Sequence, residues 1–323
     1  MRAGDDYWRS RAGASAVKGV LATAPGAPGI APLPTLADAQ VDGDAPVRLA
    51  RHAVGAAVAD LVRHVWVPRW RLAPGVVVEQ GVLDYPSANL VIEADAAGLY
   101  GPELGRSHRR LEGTGWAVGA LLQPGVARLL VAGPMRALIG GAVPLDELRV
   151  TDAARLARDV RAYAAAGDDE ASVSAFEAWL AAQSLEVDDD ARLVRRVVEL
   201  AEYDRSILRA EDLARASGLG LRTLQRLVRE QLGLTPKWLI RRYRMQEAAA
   251  ALAAPDAPSL ADLAAELGFA DQAHLTREFR AVIGETPRRY ALAAGSAAAS
   301  VDRSAAASAD ASDDPTSRRT PRA

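Results

Sequence analysis

The chain has 323 residues, of which half are hydrophobic and a quarter are charged, and its formal net charge is −2. These proportions are typical of about two globular domains of ~100 to 200 residues each. The chain contains no cysteine, which excludes disulfides, thiolate metal sites, zinc fingers and cysteine nucleophiles.

The two ends of the chain are low in complexity. Residues 1–45 are rich in Ala, Gly, Pro and Asp and include the run TAPGAPGIAPLP, which predicts a disordered leader. Residues 294–323 are rich in Ala, Ser, Asp and Arg, which predicts a disordered tail. Asp5 and Asp6 stand where a signal peptide needs an apolar core, and no stretch approaches the ~18 apolar residues of a membrane span, so we expect a cytoplasmic protein without a membrane partner.

Residues 46–150 have the pattern of a β-rich domain. Short apolar runs, VVV at 76–78, NLVIE at 89–93 and ARLLVAG at 127–133, are separated by Gly and Pro about every ten residues. This spacing predicts short strands joined by turns, including a strand in each of these runs. Trp66, Trp70 and Trp116 are candidates for an effector pocket, although large aromatic residues in a small β domain are more often part of the core.

Metal and enzyme chemistry find little support in the sequence. The four histidines, His52, His64, His108 and His274, are too scattered to form a close ligand pair, and there is no HExxH string. Glu79, Glu93 and His108 would suit a cupin-like metal site, but the HxH spacing of such sites is absent. Without cysteine the chain cannot accept a methyl group as alkylation-repair proteins do, and it has no GxSxG or Gly-rich phosphate loop. We therefore predict no metal, no cofactor and no enzymatic activity.

Residues 151–190 change to a helical period. Leu156, Val160 and Tyr163, and then Phe176 and Leu180, recur at helical spacing in a background rich in Ala and Arg. This pattern predicts a helical linker.

Residues 191–293 contain an internal repeat. The pattern DLA, Gly, apolar residue, Leu, Arg, Gly, Thr-Pro that begins at Asp212 occurs again from Asp262, with an offset of fifty residues before the turn and fifty-one after it. Each copy predicts a short helix, a tight turn at Gly218 or Gly268, and a second helix that ends at a Gly followed by Thr-Pro. This is the pattern of a helix-turn-helix unit, and it predicts one inserted residue in the second turn.

The second helix of each unit divides into an apolar and a basic side. At 100° per residue the buried positions of the first unit are Leu224, Leu227, Val228 and Leu232, and those of the second are Leu275, Phe279 and Val282. The opposite sides carry Arg222, Arg226 and Arg229 in the first unit and Ala273, Arg277 and Arg280 in the second. From Arg192 to Leu292 the chain has seventeen Lys or Arg against thirteen Asp or Glu, although the whole chain is slightly acidic.

These basic sides suit the major groove of B-DNA. Arg226, Arg277, Gln225 and Gln272 are the residues we expect to contact base edges, because Arg pairs with guanine and Gln with adenine. The residues expected at phosphates are Thr223, Arg229, Lys237, Arg241, Thr276, Arg280 and Arg288. The stretch PKWLIRRYRMQEAAAALAA predicts one long helix between the units, with packing positions at Trp238, Met245, Ala249 and Leu252.

The strings DLARASGLGLRTLQRLVREQLGLTPKWL and LADLAAELGFADQAHLTREFRAVIGETPRRY, with Arg244 and Ala248 between them, resemble the DNA-binding domain of the AraC/XylS family. The resemblance implies two helix-turn-helix units on a linker helix, asymmetric promoter sites, and base contacts that add Arg222 and His274 to the four residues above. His274 is equally suited to a structural role. The strings VRHVWVPRW, LDYPSANLVIE and LEGTGWAVGALLQPG resemble a mainly β, uncharacterised sensor domain of actinobacterial regulators, which implies a regulatory role without naming a ligand.

The predicted fold class is therefore α+β and multidomain: a β-rich N-terminal domain followed by an all-α domain of two helix-turn-helix units joined by a long helix. The predicted function is a sequence-specific transcription factor that binds double-stranded promoter DNA and is modulated by its N-terminal domain. RNA polymerase, an unknown small-molecule effector and a second copy of the chain remain open as partners. The alternative is an effector-binding or protein-interaction regulator in which DNA binding is weak or non-specific.

Overall fold

The computed structural model describes residues 47–254 and 256–294. The predicted leader, residues 1–45, lies outside the described residues, as does the predicted tail apart from Ala294, which is helical and buried. No helix in the described part of the chain combines the length and the apolar character needed to cross a membrane.

The N-terminal half forms two antiparallel sheets. The strands are β1 Val47–His52, β2 Val62–Arg71, β3 Val77–Val82, β4 Asn89–Glu93, β5 Ala97–Tyr100, β6 Ser107–Glu112, β7 Thr114–Leu122 and β8 Ala142–Pro144. Six of them form one sheet in the order β1-β2-β7-β4-β5-β8, and β3 pairs with β6 in a separate two-stranded ribbon. The expectation of a β-rich domain is thus confirmed, and NLVIE forms β4 as predicted.

One of the predicted strands was wrong. The run ARLLVAG begins with the one-turn helix α1, Ala127–Leu130. Gly125 has a φ of 91°, a left-handed conformation that turns the chain before α1 begins. Ala127 and Leu130, three residues apart, are both buried on the same side of this helix. A short run of consecutive apolar residues is compatible with either a strand or a helix, so the run alone does not distinguish them.

Helices cover one face of the large sheet. The segment predicted as a helical linker forms α2, Ala153–Ala166, and α3, Asp169–Ala182, and these helices pack on β4 and β7. Val160 and Phe176 are fully buried in one core with the strand residues. Arg69 of β2 ties the helices to the same face, because its guanidinium donates to the carbonyl of Ala164 at 2.8 Å and pairs with Asp169. This segment therefore contributes to the core of the N-terminal half.

The C-terminal half is helical, which confirms the predicted fold class. Its helices are α4 Asp189–Tyr203, α5 Ala210–Ala216, α6 Leu221–Leu232, α7 Pro236–Ala253, α8 Leu260–Glu266 and α9 Gln272–Ile283, and residues 287–294 are also helical. Helices α4 to α6 and the first half of α7 enclose one apolar core, whereas the second half of α7 with α8 and α9 encloses another. The long helix α7 thus belongs to both helix-turn-helix units.

Candidate nucleic-acid interface

The turn of the first unit follows from a single glycine. Helix α5 ends where Gly218 adopts a φ of 70°, and the amide of Leu219 donates to the carbonyl of Ala214 at 2.9 Å. This is the hydrogen-bond pattern of a Schellman C-cap, which reverses the chain tightly because glycine adopts the left-handed conformation without steric cost. Leu219 then packs, partly buried, against the core of the first unit.

The second unit repeats this geometry. Gly268 has a φ of 68°, and the amide of Phe269 donates to the carbonyl of Ala264 at 2.8 Å. Helix α8 begins fifty residues after α5, and α9 begins fifty-one residues after α6, which confirms the inserted residue in the second turn. The insertion brings Asp271 to the N-cap of α9, where its carboxylate accepts the amide of His274 at 2.6 Å.

The second helix of each unit has one buried and one exposed side, as predicted. All seven residues expected in the cores of the two units are buried, with exposed fractions of at most 5%. The exposed side chains of α6 are those of Arg222, Thr223, Gln225, Arg226, Arg229 and Glu230. On α9, Gln272, Arg277 and Arg280 are exposed, and Thr276 and His274 are half-buried. The basic row that the sequence predicts thus lies on the surface in both units.

The two matching arginines differ in their surroundings. Arg226 of α6 pairs with Glu230, one turn further along the helix, at 2.9 Å. The position that matches Glu230 in α9 is Ala281, and Arg277 has no ion-pair partner among the described residues. An exposed pair at this spacing contributes at most about 1 kcal/mol, so Arg226 can leave Glu230 to contact another acceptor.

Among the residues expected at phosphates, Arg241 has a protein partner. Lys237 and Arg288 are exposed, each near the start of the helix that follows the Thr-Pro of its unit. Arg241 is half-buried, and its guanidinium pairs with Glu278 of α9 at 2.5 Å. A phosphate would have to compete with Glu278 for Arg241, whose visible role is to connect α7 to the second unit.

His274 has contacts of its own with the core of the second unit. Its ring lies edge-on to Phe269 with centroids 5.3 Å apart, and the guanidinium of Arg244 lies over the ring of Phe269, 3.9 Å from its centroid. Phe269 therefore contacts both an imidazole ring and a guanidinium, and both contacts favour an aromatic side chain at this position. These contacts give His274 a structural part, and its half-exposed ring still borders the outer side of α9.

Helix α7 begins as the sequence predicts. The hydroxyl of Thr235 accepts the amide of Trp238 at 3.2 Å, and Pro236 occupies the first helical position, where no amide donor is needed. Met245, Ala249 and Leu252 are buried in the second core, and Trp238 packs partly buried against the first.

Sequence reasoning missed Arg242, which has only 2% of its surface exposed. It donates to the carbonyl oxygens of Glu103 and Gly105 at 2.6 and 3.0 Å, and its guanidinium stacks on Trp238, 4.6 Å from the ring centroid. Burial lowers the pKa of Arg242 to about 10. The only sequence signal is its position beside Tyr243 and Leu239 on the buried side of α7.

The three tryptophans proposed for an effector pocket do not lie together. Trp66 and Trp70 of β2 face the same side of the sheet, and each covers a glycine of β7: a Cβ on Gly119 or Gly115 would lie 2.2 Å from the indole ring. Trp116 of β7 is the cross-strand neighbour of Arg69. It lies on the opposite face of the sheet, in the core covered by α2 and α3. Neighbouring residues of a strand point to opposite faces, so Trp116 is separated from the other two by the sheet.

The three residues considered for a cupin-like metal site are also apart. Glu79 and His108 lie on the ribbon of β3 and β6, whereas Glu93 ends β4 of the large sheet. Glu79 faces Arg110 on the neighbouring strand, with 3.6 Å between its carboxylate and the guanidinium. No group of three or more His, Asp or Glu suited to a metal ion occurs within the described ranges of the chain.

Comparison with known families agrees with this geometry. Residues 213–293 match a family model described as a helix-turn-helix domain, and residues 51–144 match one described as a domain of unknown function, DUF6597. The C-terminal part of the chain is an AraC/XylS-type helix-turn-helix domain. The DUF6597 match covers most of the β-rich part in front of this AraC-type domain.

Similar curated proteins are regulators by name. The transcriptional activator NphR of Rhodococcus sp is 32% identical over 130 residues, which cover 40% of this chain and 38% of that protein. The HTH-type transcriptional activator RhaS of Klebsiella pneumoniae is 34% identical over 100 residues, which cover 31% of this chain and 36% of RhaS. The chain thus matches less than half of the length of either relative.

Solved structures also resemble parts of the chain. The C-terminal domain of AraT, a response regulator from Geobacillus stearothermophilus, covers 32% of this chain and 87% of its own length, with 22% identity and a TM-score of 0.29. ToxT from Vibrio cholerae covers 76% of this chain and 97% of its own length, with 12% identity and a TM-score of 0.37. Both TM-scores are below 0.5.

Proposed function

We propose that the protein is a sequence-specific transcription regulator that binds promoter DNA in the cytoplasm through its AraC-type domain. The observation that carries this proposal is the double recognition surface. Helices α6 and α9 occupy equivalent places in two equivalent units, and both expose arginine and glutamine on the side away from the core. A basic row on one isolated helix is often only a solvated face, but its repetition in register favours a DNA partner.

The residues divide into two groups by the contacts that they can make. Arg222, Gln225 and Arg226 on α6 lie on the outer side of the first two turns, where a recognition helix reaches base edges. Gln272, His274 and Arg277 occupy the corresponding turns of α9. The remaining exposed groups suit phosphates, which add affinity but carry no sequence information: Thr223, Arg229, Lys237, Thr276, Arg280 and Arg288.

The N-terminal domain is the proposed regulatory part. It is folded against the AraC-type domain, so a change in its conformation would reach the DNA-binding units through direct contacts. We propose that it modulates DNA binding without an enzymatic step. A small-molecule effector, RNA polymerase and a second copy of the chain are the partners through which this modulation could be exerted.

A mobility-shift assay with the region upstream of the protein's own operon tests the proposal. We expect a discrete complex that persists in the presence of excess non-specific duplex. The matched control is the double variant Arg226→Ala/Arg277→Ala, which removes one exposed side chain from each unit and leaves the cores intact. Absence of a complex with every genomic fragment at low salt, or equal binding by the control variant, would contradict the proposed function.

A further inference from the structure

The segment Leu83-Asp84-Tyr85, between β3 and β4, places one side chain in the core of each helix-turn-helix unit. Leu83 is 1% exposed and belongs to the core of the second unit, with Met245, Phe279 and their neighbours. Tyr85 is 9% exposed and belongs to the core of the first unit. Residues two apart in a regular strand point to the same side, whereas Leu83 and Tyr85 lie in different cores, so the segment between them departs from regular strand geometry.

Polar contacts hold this segment against the long helix. The side-chain amide of Gln246 on α7 donates to the carbonyl of Leu83 at 3.4 Å. The ring of Tyr85 lies edge-on to Tyr243 of α7, with centroids 6.5 Å apart. Between them, the carboxylate of Asp84 accepts the amide of Glu103 at 3.0 Å, which joins the segment to the loop that receives Arg242.

Further contacts flank the segment on both sides. Toward the first unit, Arg63 of β2 makes two hydrogen bonds to the carboxylate of Glu202 on α4, at 2.9 and 3.0 Å, and lies over Tyr85. Toward the second unit, Arg106 donates to the carbonyl of Ile283 at the end of α9, at 3.2 Å. The N-terminal domain therefore contacts both units and the helix between them.

The two units also contact each other directly. Arg205, which follows α4, pairs with the largely buried Glu247 of α7 and, at 2.8 Å, with the exposed Glu266 of α8. The side chain of Leu208 lies over Gly268. The Arg241–Glu278 pair and α7 also connect the units, and the N-terminal domain adds contacts to both of them from outside.

We propose that Leu83-Asp84-Tyr85 positions the two recognition helices relative to each other and so sets the spacing of the two half-sites that the protein accepts. This inference rests on the proposed function. The candidate base-contacting arginines are exposed in the same conformation in which the segment occupies both cores. The N-terminal domain therefore holds the units without covering their outer sides. This arrangement suits a role in positioning the recognition helices and does not suit a role in blocking them.

The test measures binding as a function of half-site spacing with the full-length chain. Duplexes are first selected from a random library by the wild-type protein, and the distance between the two protected half-sites is then changed one base pair at a time. Two recognition helices on one face of the duplex prefer a spacing of about 10 to 10.5 bp, and each added pair rotates the second site out of line. We expect the wild-type affinity to fall about tenfold or more when two base pairs are inserted, because one set of base contacts is lost.

The variant Leu83→Ala/Tyr85→Ala removes both anchors. We expect it to tolerate the two inserted base pairs with a loss of only about threefold, since units that reorient can recover the second set of contacts at moderate cost. Leu83→Met and Tyr85→Phe should restore the wild-type spacing preference, because they keep the apolar bulk and the ring in each core. If circular dichroism shows that the double variant does not fold, the same measurement is made with the single variant Tyr85→Ala.

The matched control is Leu99→Ala, which removes an equally buried leucine from the core of the large sheet, away from both units. It should lower thermal stability and keep the wild-type spacing preference. An unchanged preference in the folded anchor variants, or the same broadening in Leu99→Ala, would overturn the inference while leaving the proposed function in place. Failure of the wild type to select any duplex would overturn both.

Discussion

Arg226 and Arg277 occupy matching positions on the two recognition helices, and Arg242 shows how differently an arginine of the same domain can be used. The first two are exposed and can exchange their contacts with water or Glu230 for contacts with a base. Arg242 is buried and held by two carbonyl oxygens and an indole ring. Burial and the number of fixed acceptors thus separate arginines that can bind DNA from an arginine that holds the fold.

Replacement of single basic residues should separate base contacts from phosphate contacts. Arg277→Ala should lower the affinity for a selected site by about 1 to 3 kcal/mol and flatten the preference at one base pair. Lys237→Ala should weaken binding to all sequences by a similar factor and reduce the slope of log affinity against log salt by about one. Quantitative binding to single-base variants of the selected duplex measures both. Equal losses on every sequence for both variants would contradict the assignment.

His64 on β2 should make the stability depend on pH. Burial, and then the nearby Arg51 and Arg63, lower its pKa from 6.5 to about 4. As the pH falls below 6.5 the unfolded chain takes up a proton that the folded protein does not, so stability that is complete above pH 6.5 is lost towards pH 4. The loss due to His64 should not exceed about 3 kcal/mol.

Urea unfolding between pH 7 and pH 4.5 tests this dependence. The variant His64→Gln stays neutral throughout and should lack the part of the pH dependence that belongs to His64, while the carboxylates titrate alike in both proteins. The same change of midpoint with pH in the variant and the wild type would show that His64 is protonated equally in the folded and unfolded states.

At the level of elements, the two recognition helices end alike but meet different surroundings. Gly233 ends α6 with a φ of 73°, and Gly284 ends α9 with a φ of 89°. A Cβ on Gly233 would lie 2.7 Å from the backbone of Met135 and Arg136, which form a 3₁₀ turn of the N-terminal domain, Met135–Leu138. A Cβ on Gly284 would meet no atom within 4 Å. A side chain at Gly233 would therefore meet the N-terminal domain, whereas one at Gly284 would not.

This pair of glycines offers a comparison within one molecule. Gly284→Ala should cost about 1 to 2 kcal/mol of stability, the strain of a left-handed alanine. Gly233→Ala should cost more, because backbone atoms of the neighbouring turn must also move. Thermal unfolding of the two full-length variants measures the difference. Equal destabilisation of the two variants would mean that the 3₁₀ turn can move away from residue 233 without a cost in free energy.

At the level of the whole molecule, the long helix α7 and the docked N-terminal domain both contact the two helix-turn-helix units. Helix α7 contributes to both cores, and the N-terminal domain contacts each unit and α7 between them. Both recognition helices are accessible in this arrangement. The protein can thus present two helices at once, which suits a site with two separate half-sites.

Hydroxyl-radical footprinting on a selected duplex should show this arrangement. We expect two protected patches about one helical turn, ~34 Å, apart on the same face of the DNA. The variant Arg277→Ala should lose protection mainly in one patch, which would assign that patch to the second unit. A single continuous footprint, or patches on opposite faces, would contradict simultaneous insertion of α6 and α9.

The repeated unit can be predicted from sequence because its structure depends on short-range interactions. The glycine at each turn, the Thr-Pro at the start of α7 and the spacing of apolar residues within α6 and within α9 act over one or two helical turns. They therefore indicate helix ends and buried sides directly. A short apolar run bounded by turn residues likewise identifies β4. The boundaries predicted for the domains remain predictions, as do the DNA contacts.

Long-range contacts decided what these local patterns leave open. ARLLVAG is short enough to suit a strand or a helix, and only its packing makes it α1. Trp66 and Trp116 belong to opposite faces because of the register between β2 and β7, which no local pattern of either strand contains. The burial of Arg242 depends on carbonyl groups 137 and 139 residues earlier, and the insertion of Leu83 and Tyr85 into two separate cores depends on the docking of one domain on another. The repeated pattern of glycines, apolar residues and arginines indicates the two helix-turn-helix units. Their mutual orientation, by contrast, arises only when distant segments pack together.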